Sequence, residues 1–105
     1  MGAQLSMLPD PIDQAFLEFH HNNPQVYRTL VGLAREWKAA GHGRCSISML
    51  FEVLRWDSGM RTTSKDGLKL NNSFRSRYVR IISANEPDLA PMFETRVLAS
   101  ERGAA

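Results

Sequence analysis

Cysteine is almost missing from this chain of 105 residues: Cys45 stands alone. A single thiol excludes an internal disulfide framework and suits a reducing cytosol. No apolar run approaches the ~20 residues that a membrane-spanning helix needs, and no basic-then-apolar leader opens the sequence. A soluble, cytoplasmic protein is therefore expected. Internal repeats, low-complexity tracts and linkers are also absent. What remains is 43% hydrophobic and 23% charged, the composition of a folded domain, and the length leaves room for one core.

Basic residues are unevenly placed. Residues 1–27 contain no Lys or Arg, and Asp10, Asp13 and Glu18 give that stretch a charge of −3. Residues 28–80 hold eleven Lys and Arg against four acids, for +7, and residues 81–105 return to −2. A basic middle between acidic ends is what an anion-binding face requires, because clustered like charges raise the local potential and steer polyanions. The plainer alternative is a solvated surface whose acidic ends fold back and neutralise the middle.

Local signals predict a domain built mostly from helices. Asp10 and Pro11 form a cap followed by a first-turn proline, and Ile12, Ala15, Phe16 and Phe19 then recur at helical spacing. Asn23-Pro24 repeats that punctuation before a second helix with Val26, Leu30, Leu33, Ala34 and Trp37 on one side; Gly41-His42-Gly43 ends it. Ser46 caps a third helix carrying Ile47, Leu50, Phe51 and Leu54, which should stop near Asp57-Ser58-Gly59. Met60 to Leu70 reads as a basic hairpin or loop around Asp66-Gly67. A fourth helix begins at Asn71 or Asn72 and runs to about Ala84, with Phe74, Tyr78, Ile81 and Ile82 facing inward. Asp88 is placed to cap one further turn, and Glu94–Leu98 alternates like a short strand. The expected organisation is a flexible arm over 1–9, one globular helical domain over 10–98 and a flexible tail over 99–105. Its class is mainly α with a small β hairpin or strand element, a four-helix, helix-turn-helix or winged-helix-like arrangement.

The outer face of the fourth helix carries the functional expectation. Asn72, Ser73, Ser76 and Arg80 lie opposite its apolar side, with Arg75 and Arg77 at the margins. Arg forks match guanine, Asn matches adenine, and Ser suits phosphates or either base edge, so this is the chemistry of a helix that enters a DNA major groove. Asn72, Ser73, Ser76, Arg77 and Arg80 are the expected groove contacts. Arg61, Lys65 and Lys69 of the connector are the expected backbone contacts. The bland alternative is an ordinary solvated helix, with Arg75 or Arg77 paired to Glu86, Asp88 or Glu94.

Other chemistries find less support. His20, His21 and His42 lack the four convergent ligands of a zinc site and read as surface groups at helix ends. Cys45 has His42 nearby but no third member or oxyanion device, and no phosphate-cradling glycine loop is present. Neither cofactor nor metal is expected, and the chain is not read as an enzyme.

Trp56, Ser58-Gly59-Met60, Leu70-Asn71-Asn72, Phe74-Arg75-Ser76-Arg77-Tyr78 and Phe93-Glu94-Thr95-Arg96 together resemble a group of short proteins of phages, prophages and bacterial mobile elements. The resemblance covers about residues 22–98 and is strongest over 50–96. It implies a bacterial or phage cytoplasmic protein and carries no activity with it. Two function classes remain: a small regulator or accessory factor that binds double-stranded DNA, expected as a homodimer, or an inhibitor or adaptor that docks on a host protein. For the second, the five Met and two Trp supply anchors.

Overall fold

The computed structural model describes residues 10–61 and 70–93. Among them are four α-helices, α1 (Pro11–Asn22), α2 (Pro24–Ala39), α3 (Ile47–Arg61) and α4 (Arg75–Asn85), with short 3-10 turns at Asn72–Phe74 and Ala90–Phe93. Local chemistry sets most of their ends. The Asp10 carboxylate accepts from the Asp13 backbone N–H at 2.7 Å, satisfying one of the donors that a helix start leaves free. The Ser46 hydroxyl does the same for Met49 at 3.2 Å, and the Asn71 side-chain oxygen for Ser73 at 2.8 Å. At the end of α2 the His42 N–H reaches the Trp37 carbonyl and the Gly41 N–H reaches that of Lys38. This paired closure needs a left-handed residue, and Gly41 supplies it with φ of 102°.

Two ends differ from the sequence expectation. α3 runs through Asp57-Ser58-Gly59 to Arg61, so Met60 and Arg61 are helical and no hairpin starts there. One internal glycine costs a helix only about 1 kcal/mol, and the apolar contacts of Leu50, Phe51 and Leu54 hold the segment. The further turn expected after Asp88 is present as Ala90–Phe93, but the Asp88 carboxylate turns to Arg35 and Lys38 of α2 instead of capping it. The rest of the expected hairpin, residues 62–69, lies outside the described residues, as do the strand at 94–98, the arm at 1–9 and the tail at 99–105. Among the described residues there is no strand.

The core draws on every helix. Val26, Leu30 and Ala34 of α2 fall four apart on one stripe, Leu50, Phe51 and Leu54 line the inner side of α3, and Tyr78 and Ile82 continue the Phe74 side of α4. α1 contributes Phe16, which meets Tyr78 edge-on at 4.8 Å and Phe74 at 5.6 Å. Such edge-to-face pairs add to the burial term and fix the angle at which α1 lies on α4. The turn at Ala90–Phe93 closes the far side with Leu89, Met92 and Phe93, all buried. It is tied to the start of α3 by the Cys45 N–H donating to the Met92 carbonyl at 2.8 Å. Burial pushes the Cys45 thiol up, away from the thiolate form that a nucleophile needs.

Candidate functional site

The inward side of α4 is Tyr78 and Ile82, so its outward row is Ser76 and Arg80, continued back onto Ser73 of the preceding 3-10 turn, all exposed. These three of the expected contacts share one face. Arg80 makes no hydrogen bond or ion pair among the described residues, although it is close enough to Asp13 to favour that carboxylate's charged form.

The two remaining described candidates are engaged elsewhere. The Arg77 side chain is only 17% exposed. Its Nε donates to Asp13 Oδ1 at 2.6 Å, its Nη2 lies 3.5 Å from Asp10 Oδ2, and its Nη1 donates to the Ser73 carbonyl at 3.0 Å. It therefore clamps the first turn of α1 to α4. The hydrogen bond from Arg77 holds the Asp13 carboxyl below the usual aspartate range. Asn72 is exposed, but its side-chain oxygen accepts from Arg55 Nη2, which also donates to the Leu70 carbonyl at 2.8 Å. Arg55 thus fastens the start of the α4 segment to α3. The Arg61 side chain, Lys65 and Lys69 lie outside the described residues.

Much of the positive charge counted in the sequence is neutralised in the fold. Arg35 of α2 meets Glu86 and Asp88, and Lys38 reaches Asp88 at 3.4 Å. The Arg35 hydrogen bond, aided by Lys38, keeps the Asp88 carboxyl below its ordinary range. These are two of the three acids set against Arg75 or Arg77; α2 takes them instead, and Glu94 lies outside the described residues. Glu52 pairs with Arg55 at 3.0 Å. Arg28, Arg44, Arg75 and Arg80 are left with no carboxylate at ion-pair distance among the described residues.

Two of those four line a cleft of about 1000 Å³ between the starts of α1, α3 and α4. Sequence reading missed it, because it placed Arg75 only at a helix margin and gave Arg44 no role. Arg75 Nη1 donates to the Ser48 hydroxyl at 2.8 Å and its Nε to the Asn72 carbonyl at 3.0 Å, so the guanidinium is held in place. Arg44 also lines the cleft and is exposed, and its carbonyl accepts from the Trp37 indole at 2.6 Å. The alternation of Ser46 and Ser48 around the α3 cap was the available signal.

The histidines are not all surface groups. His20 is half-buried among Phe16, Tyr27 and Tyr78, with its Nδ1 enclosed and unpartnered, and His42 stacks on Trp37 at 3.7 Å. A second feature is a stripe on α3: Trp56 and Met60 are each 68% exposed, and Val53 adjoins them at helical spacing. The chain matches no protein-family model, no curated protein and no solved structure.

Proposed function

We propose that the protein binds double-stranded DNA through the outward row of α4, as a phage or mobile-element regulator or accessory factor. The observation that supports this best is the exposed Ser73–Ser76–Arg80 row on a helix whose opposite side is locked into the core. A groove-reading helix needs that combination of a rigid apolar back and a front of free hydroxyl and guanidinium donors. Arg80 is the base- or phosphate-facing cation, and Ser73 and Ser76 are its hydroxyl partners. Arg77 acts as a clamp that orients the helix. Asn72 joins the contacts only by giving up Arg55. Arg61, Lys65 and Lys69 supply backbone contacts.

Ten residues separate α3 from the Asn72 turn, against three or four in the helix-turn-helix unit, so the proposal rests on the outward row and not on that motif. A domain of this size gains affinity by binding a two-fold site as a homodimer, and the Val53–Trp56–Met60 stripe supplies the apolar contact. That stripe also favours a second reading, a host protein docked on Trp56 and Met60 with no role for DNA.

Fluorescence anisotropy on a random-sequence duplex separates the two. Under the DNA reading log K falls by about 0.9 per neutralised phosphate for each tenfold rise in salt, and Arg80→Ala weakens binding further. Salt-insensitive or absent binding at low ionic strength, with Arg80→Ala indistinguishable from the parent, rejects it in favour of a protein partner.

A further inference from the structure

The cleft between the starts of α1, α3 and α4 has a lining unlike the rest of the surface. Of the chain's eleven acids none is among its described lining residues, whereas Arg44, Arg75 and the hydroxyls of Ser46, Ser48 and Ser76 are. Arg77 is at its edge, already satisfied by Asp13. Beneath the polar rim lies an apolar floor that includes Met49, Val79 and Phe93.

Donor counting identifies the chemistry. A guanidinium carries five N–H donors and no acceptor. Arg75 commits one to Ser48 and one to Asn72, and Arg44 commits none to a described residue. The surplus of donors calls for a group rich in acceptor oxygens, and a guanidinium fork matches phosphate in charge and in geometry. A volume near 1000 Å³ is far larger than a bare oxyanion and falls in the range of sites for small organic ligands. The apolar floor fits the body of such a ligand.

We propose that this cleft binds a phosphate ester with a nucleoside-sized body, the phosphate gripped by Arg44 and Arg75 and the body lying on Met49, Val79 and Phe93. Either a free mononucleotide or a nucleotide unit within a strand offers that chemistry. The site shares Ser73 and Ser76 with the outward row but not Arg80, and neither Arg44 nor Arg75 is needed for Arg80 to face a groove.

The test is a titration of the isotope-labelled full chain with adenosine monophosphate, inorganic phosphate, adenosine and a short duplex. Each runs against sodium chloride at matched ionic strength, and the readouts are the Arg44 and Arg75 Nε–H signals and the Ser46 and Ser48 amides. The monophosphate should shift these signals saturably and more tightly than inorganic phosphate, with adenosine inert; shifts by the duplex alone assign the site to a strand. Arg44→Ala should weaken binding about tenfold or more while leaving the melting temperature in place, the loss of one charge-assisted contact. Arg75→Lys keeps the charge and loses the fork, and should weaken it as well. The proposal falls if neither nucleotide form moves these signals beyond the chloride control. It falls equally if the monophosphate binds no tighter than inorganic phosphate while the duplex leaves the signals unmoved, or if both variants bind as the parent does. Arg80→Ala keeps this site and weakens duplex binding when the α4 row reads DNA, so the two proposals fail separately.

Discussion

Tyr78 carries a hydroxyl that has no partner among the described residues, and removing it should strengthen the fold. The residue is fully buried, ringed by Phe16, His20 and Phe51 at centroid distances of 4.8, 5.9 and 6.0 Å, and its oxygen accepts and donates nothing. Burial alone raises its phenol pKa, which marks an environment without polar compensation. A buried hydroxyl without a bond costs about 1–3 kcal/mol relative to its hydrated state. Tyr78→Phe deletes that cost and keeps the ring with its edge-to-face contacts. Some of the gain is lost to the small void left by the oxygen, so a net stabilisation of about 1 kcal/mol is expected. In a domain of this length that is a rise in melting temperature of about 4–8 °C. Urea unfolding followed by circular dichroism should show a higher midpoint at unchanged slope, since the surface exposed on unfolding is the same. Destabilisation by about 1 kcal/mol or more would mean that the hydroxyl makes a strong bond, and the packing assigned to α1 against α4 would be wrong.

Phe74→Ala should cost about 3–5 kcal/mol, because it empties the space between Phe16 and Phe19, and thermal unfolding will show it. Arg77→Ala should lower the melting temperature, while Arg80→Ala stays within about ±0.5 kcal/mol; the reverse order would invert the assigned face of α4. Gly41→Ala has open space for its methyl, so its expected loss of about 1 kcal/mol comes from the positive φ alone. Asp13 and Asp88 hold their carboxyls below the ordinary range and so bind fewer protons folded than unfolded. The stability they add is fully present above the unfolded carboxylate range and is lost as pH falls through the lowered values. In Arg77→Ala the Asp13 titration, followed by NMR, should move back up toward the ordinary range.

The helices were legible because their ends are chosen within a few residues. Asp10-Pro11, Ser46, Asn71 and Gly41 each act on a backbone group no more than five positions away, and each does what its side chain or φ dictates. Gly59 misled for the same reason: its local cost is small, and contacts made by Leu50, Phe51 and Leu54 elsewhere in the fold decide the length of α3. Partners of the charged residues were not legible. Arg77 meets Asp13 across 64 positions and Arg35 meets Glu86 across 51, pairings that only the packing of helices creates. A formal count of charge therefore overstates the cationic face, and of the described candidates the row Ser73, Ser76, Arg80 is the part left free. The cleft beside it is assembled from Arg44, Ser48 and Arg75, which no single helical period brings together.

The central claim is that the outward row of α4 meets DNA. Amide chemical-shift mapping with a short duplex, at low and moderate salt, tests it residue by residue. The account predicts saturable shifts centred on Ser73, Ser76 and Arg80 that weaken steeply as salt rises. Shifts confined to Val53, Trp56 and Met60, or none at all, would contradict it.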